Sequence, residues 1–241
     1  MDPATSPDWL GAARRAASGI RHLLAERPTI AERVRETGTR GEGGDRTLLI
    51  DEAAEDFVFA ELDRLHAGGA RFTAVSEERG VVDFGSGDVL VVIDPIDGST
   101  NAKRGLPHYA LSVAVAYGGT MADVVFGFVQ DFGPEEEWVA WRGRGAQLDG
   151  VRLDPGLGER RTANGKLEVI GVESADPRWV VQSVDAAAAQ LIVREAGGLV
   201  AFVAYDDPLA APLDLEPHSP VIAARTEAGL AAAATLPVWP E

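Results

Sequence analysis

A short apolar run that ends in a charged turn constrains this chain more than any other feature. The run Asp88–Ile93 is continuous and rich in β-branched residues, a pattern that predicts a buried strand. It leads directly into Asp94, and Asp97 follows three positions later. Because a carboxylate at the end of a buried strand is costly unless it is paired or bound to a cation, this turn is the first candidate site.

Around this strand, the chain mixes predicted helices and strands without strict alternation. Helices are predicted over Pro7–Glu26, Asp51–Leu65 and Asp185–Ala196, the last of which ends at a Gly-Gly pair. Shorter runs bounded by turn residues predict strands at Phe72–Val75, Tyr109–Ala116, Asp123–Gln130, Glu137–Trp141, Leu199–Val203 and Val221–Ala224. This mixture favours a layered α/β or α+β fold over a barrel.

Two glycine-rich segments interrupt the pattern. Thr37–Asp45 is also charged and is predicted to be a mobile loop. Gly143–Gly158 is rich in glycine, aspartate and proline and is predicted to join two lobes. We therefore predict an N-terminal α+β lobe over residues 1–145, which carries the metal site, and a smaller C-terminal α/β lobe over residues 146–241.

Composition excludes several classes of function. Acidic residues outnumber basic ones by 38 to 22, and the formal charge of −16 disfavours binding to nucleic acid or to an anionic membrane. The absence of cysteine rules out disulfides, thiolate zinc sites and a cysteine nucleophile. Neither an apolar signal core at the N-terminus nor a membrane-spanning run is found, so a cytoplasmic protein is predicted.

The turn itself offers oxygen ligands. A turn through Pro95 and Ile96 could aim the carboxylates of Asp94 and Asp97, together with one backbone carbonyl, at a single point. Oxygen-only ligands of this kind suit hard cations such as Mg²⁺. The alternative is a tight Asx-type turn that merely closes the strand, since Asp-Gly pairs are common in turns.

The residues that follow offer a place for an anion. Gly98 removes side-chain bulk, and the backbone amides of Gly98, Ser99 and Thr100 could face a phosphate if a helix begins here.

The complete octapeptide Asp94–Asn101 resembles the signature of the inositol monophosphatase superfamily, whose members are magnesium-dependent, lithium-sensitive phosphatases. Ser76–Glu78 resembles the acidic pair that precedes this signature, and Val184–Gly198 resembles the second signature, with Asp185 as its aspartate. Two signatures in family order favour a ligand role for Asp185 over the alternative of a helix N-cap. The resemblance covers most of the chain and implies a layered αβαβα sandwich of the sugar phosphatase type.

The resemblance also implies a set of site residues. Two or three Mg²⁺ ions would bind Glu77, Asp94, the Ile96 carbonyl, Asp97 and Asp185. A metal-activated water would attack the phosphate, with Glu77 and the Ser99 hydroxyl orienting and deprotonating it. Asp97 would also hold the metal nearest the leaving group, and Gly98, Ser99 and Thr100 would bind the phosphate.

Taken alone, Glu77 could be an exposed charge after a strand. Asp51 receives only a secondary role, because a helix N-cap explains it.

The sequence departs from the family in its second lobe. A Gly-Ser-x-Ala stretch, with the strand and helix that follow it, is not found, since Ile170–Trp179 leads almost at once to Asp185. The second lobe is therefore predicted to be reduced. Because missing strands leave sheet edges that dimerisation commonly covers, and family members are often dimers, a homodimer is predicted.

Three hypotheses remain open at this point. The first is a phosphatase of a small phosphate monoester, with inositol monophosphate as the first candidate substrate and fructose 1,6-bisphosphate as the second. The second is a degenerate family member that binds metal or a partner without turnover. The third is a purely structural role for each aspartate, as the cap of a turn or helix.

Overall fold

The computed structural model describes residues 7–27, 36–40, 46–168, 181–216 and 218–235. Two short strands, β1 (Glu36–Arg40) and β2 (Arg46–Leu48), pair with each other in antiparallel fashion. The next eight strands form one mixed sheet: β3 (Thr73–Ser76), β4 (Gly80–Asp83), β5 (Leu90–Asp97), β6 (Ala110–Ala116), β7 (Val124–Asp131), β8 (Glu136–Trp141), β9 (Gly145–Leu148) and β10 (Val151–Arg152). Their order is β10-β9-β8-β7-β6-β5-β3-β4, and β3 and β5 run parallel.

Helices cover both faces of this sheet. In the described part of the chain they are α1 (Trp9–Glu26), α2 (Leu49–Ala67), α3 (Ser99–Arg104), α4 (Ser183–Glu195) and α5 (Glu227–Ala234). The longest of them, α1 and α2, pack against each other and share one hydrophobic core with the sheet. A second core lies between the sheet and α4. None of these helices is both long and apolar enough to span a bilayer.

Alternation along the strands explains why one sheet serves two cores. On β5, Val91 and Ile93 belong to the core beneath α1 and α2, whereas Val92 belongs to the core beneath α4. The same division holds on β6, where Val113 and Ala114 lie in different cores. Successive side chains of a strand point to opposite faces, so a strand that is buried on both faces needs the continuous apolar run that the sequence provides.

The mixed α/β architecture predicted from the sequence is confirmed, but strands lie in both glycine-rich segments, where none was predicted. Thr37–Asp45 is not wholly a loop, because residues 36–40 form β1; residues 41–45 lie outside the described residues. Gly143–Gly158 contains β9 and β10, which extend the main sheet. The two strands are joined by Asp149 and Gly150, whose φ angles of 49° and 77° are those of a tight hairpin turn.

The predicted lobe boundary between residues 145 and 146 falls inside β9. A division at that position would cut the main sheet, which continues to Arg152. The division into two lobes stays a prediction.

The C-terminal part is built from small units. β11 (Val181–Gln182) pairs with β13 (His218–Ser219), and β12 (Leu199–Phe202) pairs with β14 (Val221–Ala224). The described residues thus contain two strand pairs here instead of a broad second sheet. Ile170–Trp179, where the sequence departs from the family, lies entirely in the segment 169–180 outside the described residues.

The start of α5 provides a first test of the fold. The Thr226 hydroxyl accepts a hydrogen bond from the Gly229 amide at 3.0 Å, which satisfies one of the amide groups left unpaired at a helix start. We expect Thr226→Ala to lower the free energy of unfolding by about 1 kcal/mol, as for other N-cap substitutions. Urea denaturation measures this, with Thr226→Ser as the control that keeps the hydroxyl; equal losses in both variants would contradict the capping role.

Candidate metal and phosphate site

The acidic strand ends meet at one edge of the main sheet because of the register between β3 and β5. In this parallel pair Ser76 lies opposite Ile93. Glu77 follows Ser76, and Asp94 follows Ile93, so both carboxylates come from the same ends of neighbouring strands. The carboxyl ends of parallel strands are where open α/β sheets commonly bind ligands.

A β-bulge shapes the segment that the sequence singled out. Asp94 lies opposite Ser112 and Asp97 opposite Ala110, so three steps along β5 match two steps along β6. The extra residue reverses the faces of the sheet to which later side chains point. Without it, Ile96 would point to the same face as Val92, four positions earlier, but Ile96 lies in the core beneath α1 and α2 and Val92 in the core beneath α4. Bulges of this kind re-aim side chains and occur often beside active sites.

Asp94 is the electrostatic centre of the site. The residue is 2% exposed, and its Oδ1 accepts a hydrogen bond from the Ile96 amide at 3.0 Å. Burial raises the pKa of this carboxyl well above its ordinary value, and the negative charges of Glu77, Asp97, Asp185 and Asp51 raise it further. The fold therefore gathers four other acidic groups around one buried carboxylate.

These four groups come from separate elements. Glu77 follows β3, Asp97 ends β5, and Asp185 and Asp51 lie in the first turns of α4 and α2. The N-cap role that the sequence allowed for Asp51 and Asp185 is wrong, because α2 begins at Leu49 and α4 at Ser183, and each aspartate is the third residue of its helix. Asp51 is also buried, at 7% exposure. Five carboxylates on four elements repel one another, and a bound cation is the usual way in which proteins balance such a set.

The donor set fits a hard cation in its chemistry. Every candidate ligand is a carboxylate or a backbone carbonyl, which is the preference of Mg²⁺. Among the residues that the structure describes, however, no three acidic or histidine side chains are close enough together to enclose an ion. The individual ligand roles stay predictions.

The phosphate cradle predicted from the sequence coincides with a helix start. Gly98 is the N-cap of α3, with φ of 80° and ψ of 31°, and Ser99 and Thr100 form the first turn. A Cβ on Gly98 would lie 2.5 Å from the His108 carbonyl oxygen and 3.3 Å from the Tyr109 Cα. Only glycine fits both this backbone conformation and this close approach. The chain thereby turns directly from the acidic strand end into a set of first-turn amides.

Beneath the site lies a polar network whose role the sequence did not reveal. Glu55 of α2 is 1% exposed and accepts hydrogen bonds from the Ser76 hydroxyl and from Arg79. Burial raises the pKa of Glu55, while the Ser76 hydrogen bond and the Arg79 charge act in the opposite direction. In the sequence, only spacing pointed to Glu55: it follows Asp51 by four residues and so lies one turn further along the same helix face.

Comparison with known proteins identifies the family to which this fold belongs. The sheet, the flanking helices and the acidic strand end define an α/β protein of the sugar phosphatase type. The model of the inositol monophosphatase family matches residues 8–182, and the chain belongs to that family. The match ends before Asp185, so the last predicted ligand lies outside it.

Two relatives illustrate the range of the family. A fructose-1,6-bisphosphatase/inositol-1-monophosphatase of Archaeoglobus fulgidus is 36% identical over 147 residues, which are 61% of this chain and 54% of that protein. The Nus factor SuhB of Pseudomonas aeruginosa is 43% identical over 112 residues, or 45% of this chain and 39% of that protein. The chain thus aligns with only about half, or less, of the length of these two curated relatives.

Similarity of fold extends further than similarity of sequence. The crystal structure of an inositol monophosphatase-fructose 1,6-bisphosphatase superposes with a TM-score of 0.71 at 22% identity. The superposition covers 94% of this chain and 98% of that one.

Proposed function

We propose that this chain is a magnesium-dependent phosphatase of a small phosphate monoester. The observation that carries the proposal is the register of β3 and β5, which brings Glu77 and the buried Asp94 to the same end of neighbouring strands. The charges of Asp97, Asp185 and Asp51 also act on Asp94. Membership of a family whose relatives include fructose-1,6-bisphosphatase/inositol-1-monophosphatases supports the phosphatase class. Mg²⁺, two or three ions of it, is the proposed cofactor, with Glu77, Asp94, the Ile96 carbonyl, Asp97 and Asp185 as its ligands.

Each group of the chain then has a defined task. Bound Mg²⁺ would polarise the phosphate and lower the pKa of the attacking water. Glu77 and the Ser99 hydroxyl orient that water and deprotonate it, with the Glu77 carboxylate as the final proton acceptor and the hydroxyl as the group that can pass the proton on. The amides of Gly98, the N-cap of α3, and of Ser99 and Thr100, in its first turn, bind the phosphate oxygens. Since water attacks directly, no covalent enzyme intermediate is required.

Asp51 keeps a secondary role in this proposal. It lies in the first turn of α2 and adds to the field at Asp94, so it would stabilise the bound ions without contacting the phosphate. The homodimer, the cytoplasmic location and the lack of nucleic-acid binding stay predictions from the sequence.

A panel of phosphate esters tests the proposed function. We expect phosphate release from inositol monophosphate, with fructose 1,6-bisphosphate as the next substrate to try, in the presence of Mg²⁺ and with inhibition by Li⁺. Asp83→Asn provides a matched control, because Asp83 also closes a strand with a short turn, at the opposite end of the sheet. A chain that releases phosphate from no ester of a broad panel would contradict the proposal.

The second candidate is a non-catalytic interaction protein. The similarity to Nus factor SuhB of P. aeruginosa and of Escherichia coli favours it, as does the small-unit construction of the C-terminal part. This alternative predicts that calorimetry detects Mg²⁺ binding while every ester in the panel stays intact. Robust turnover of any one ester would exclude it.

A further inference from the structure

One buried carboxylate holds the turn that carries Glu77. Glu55 accepts a hydrogen bond from the Ser76 hydroxyl, a second from the Arg79 amide at 3.1 Å and a third from the Arg79 Nε at 3.0 Å. Glu77 and Glu78 lie between these two donors in the sequence. A single side chain on α2 therefore fixes both ends of the turn.

Arg79 contacts the same helix at two further places. Its guanidinium carbon lies 4.3 Å from the centre of the Phe59 ring, and its Nη2 donates to Asp56. The contact with the Phe59 ring and the ion pair with Asp56 hold the planar guanidinium in one orientation. In this orientation its Nε can donate a hydrogen bond to Glu55. Arg79 therefore attaches the turn to α2 through three neighbouring side chains of that helix, Glu55, Asp56 and Phe59.

The same helix also carries Asp51. Asp51 lies one helical turn before Glu55, and both Asp51 and Glu77 contribute to the field at Asp94. Any movement of the β3–β4 turn relative to α2 would change the distance between these acidic groups. The hydrogen bonds of Glu55 thus link the helix that carries Asp51 to the turn that carries Glu77.

From these contacts we infer that Glu55 and Arg79 form a positioning clamp, which fixes Glu77 relative to Asp94 and sets the affinity of the site for a divalent cation. The inference rests on the proposed function, and it assigns Glu55 no contact with the ion or the substrate. Ligands that are held in place before the ion arrives lose less conformational freedom on binding. Partners that orient metal ligands commonly change metal affinity by about 10- to 100-fold.

The test compares two carboxylates on one helix. Glu55→Gln keeps the shape of the side chain and removes its charge. Glu61→Gln is the matched control, because Glu61 is also buried on α2 and pairs with two arginines, Arg15 at 2.8 Å and Arg64. Arg79→Lys is the second variant of the clamp; its side chain is 37% exposed, so the chain is expected to fold with it.

Three readouts separate positioning from stability: Mg²⁺ affinity by calorimetry, hydrogen exchange of amides 76–80 in chelator, and thermal unfolding. We expect Glu55→Gln to weaken Mg²⁺ binding by about 10-fold and to speed exchange of these amides. Arg79→Lys should do the same to a smaller extent, and kcat should recover at saturating Mg²⁺. Glu61→Gln should leave affinity and exchange unchanged, even where it lowers the melting temperature.

The possible failures can be told apart. Equal Mg²⁺ affinity and equal exchange in Glu55→Gln and Glu61→Gln would overturn the clamp, whatever their melting temperatures. A wild-type chain that binds Mg²⁺ but hydrolyses no ester would contradict the proposed function alone, and the affinity and exchange data would still decide on the clamp. A wild-type chain that binds no Mg²⁺ would overturn both.

Discussion

Asp94→Asn should abolish magnesium-dependent phosphate release. Asparagine keeps the oxygen that accepts the Ile96 amide, so the local turn can persist while the central anionic ligand is lost. Stabilisation of the transition state by metal is worth several kcal/mol, so a loss of roughly 1000-fold in kcat/KM is expected. A steady-state assay of phosphate release at saturating Mg²⁺ measures the effect.

The same substitution should not destabilise the metal-free chain. In wild type, four other acidic groups and burial act against the charge on Asp94, and the amide removes that charge. In chelator, Asp94→Asn should therefore unfold at the same temperature as wild type or at a higher one. Asp83→Asn, which alters an exposed turn with its acceptor 2.6 Å from the Gly85 amide, should change neither activity nor metal affinity. An Asp94→Asn variant with wild-type turnover would contradict the assignment of the site.

Gly98→Ala is expected to be the most damaging small substitution at the site. The new Cβ would lie 2.5 Å from the His108 carbonyl oxygen, and the φ of 80° adds the strain of a left-handed backbone. Strain and displacement together should cost about 2–4 kcal/mol of folding free energy. Because the start of α3 must move to relieve the clash, phosphate release should also fall in whatever fraction stays folded. Urea denaturation and the release assay measure the two effects.

Gly105→Ala separates backbone strain from the clash. Gly105 ends α3 with a similar φ of 70°, but a Cβ there would meet nothing within 4 Å. This variant should lose only about 1–2 kcal/mol, the cost of the left-handed conformation. If Gly98→Ala and Gly105→Ala lower the free energy of unfolding by the same amount, the contact between a Cβ at position 98 and the His108 carbonyl oxygen does not contribute to the loss.

Much of the fold could be predicted because strong local patterns specify it. The continuous apolar run before Asp94 predicted β5, and helical spacing predicted α1 and α2 within a few residues. The C-terminal end of the sheet was missed although Asp149-Gly150 is a strong hairpin signal, because glycine and proline across the segment favoured a linker. The threonines of β1 alternate with other residues in a pattern that the nearby glycines obscured.

The site was predictable to the extent that it is local in sequence. Asp94, Asp97 and Gly98 stand in one segment, so a single motif predicted both a cation site and an anion cradle. The bulge that re-aims Ile96 depends on the register with β6, and the burial of Asp51 depends on how α2 packs; neither is encoded in a short pattern. The Glu55–Arg79 contact joins residues 24 positions apart, and only the fold brings them together.

The proposed magnesium site at the acidic strand end and its role in phosphate release can be tested in one titration. The rate of phosphate release from inositol monophosphate by the wild-type chain is measured as Mg²⁺ is added to chelator-stripped protein. We expect no release in chelator and a saturable rise with Mg²⁺ that Asp94→Asn lacks. Full release in chelator, or a rise that Asp94→Asn retains, would contradict it.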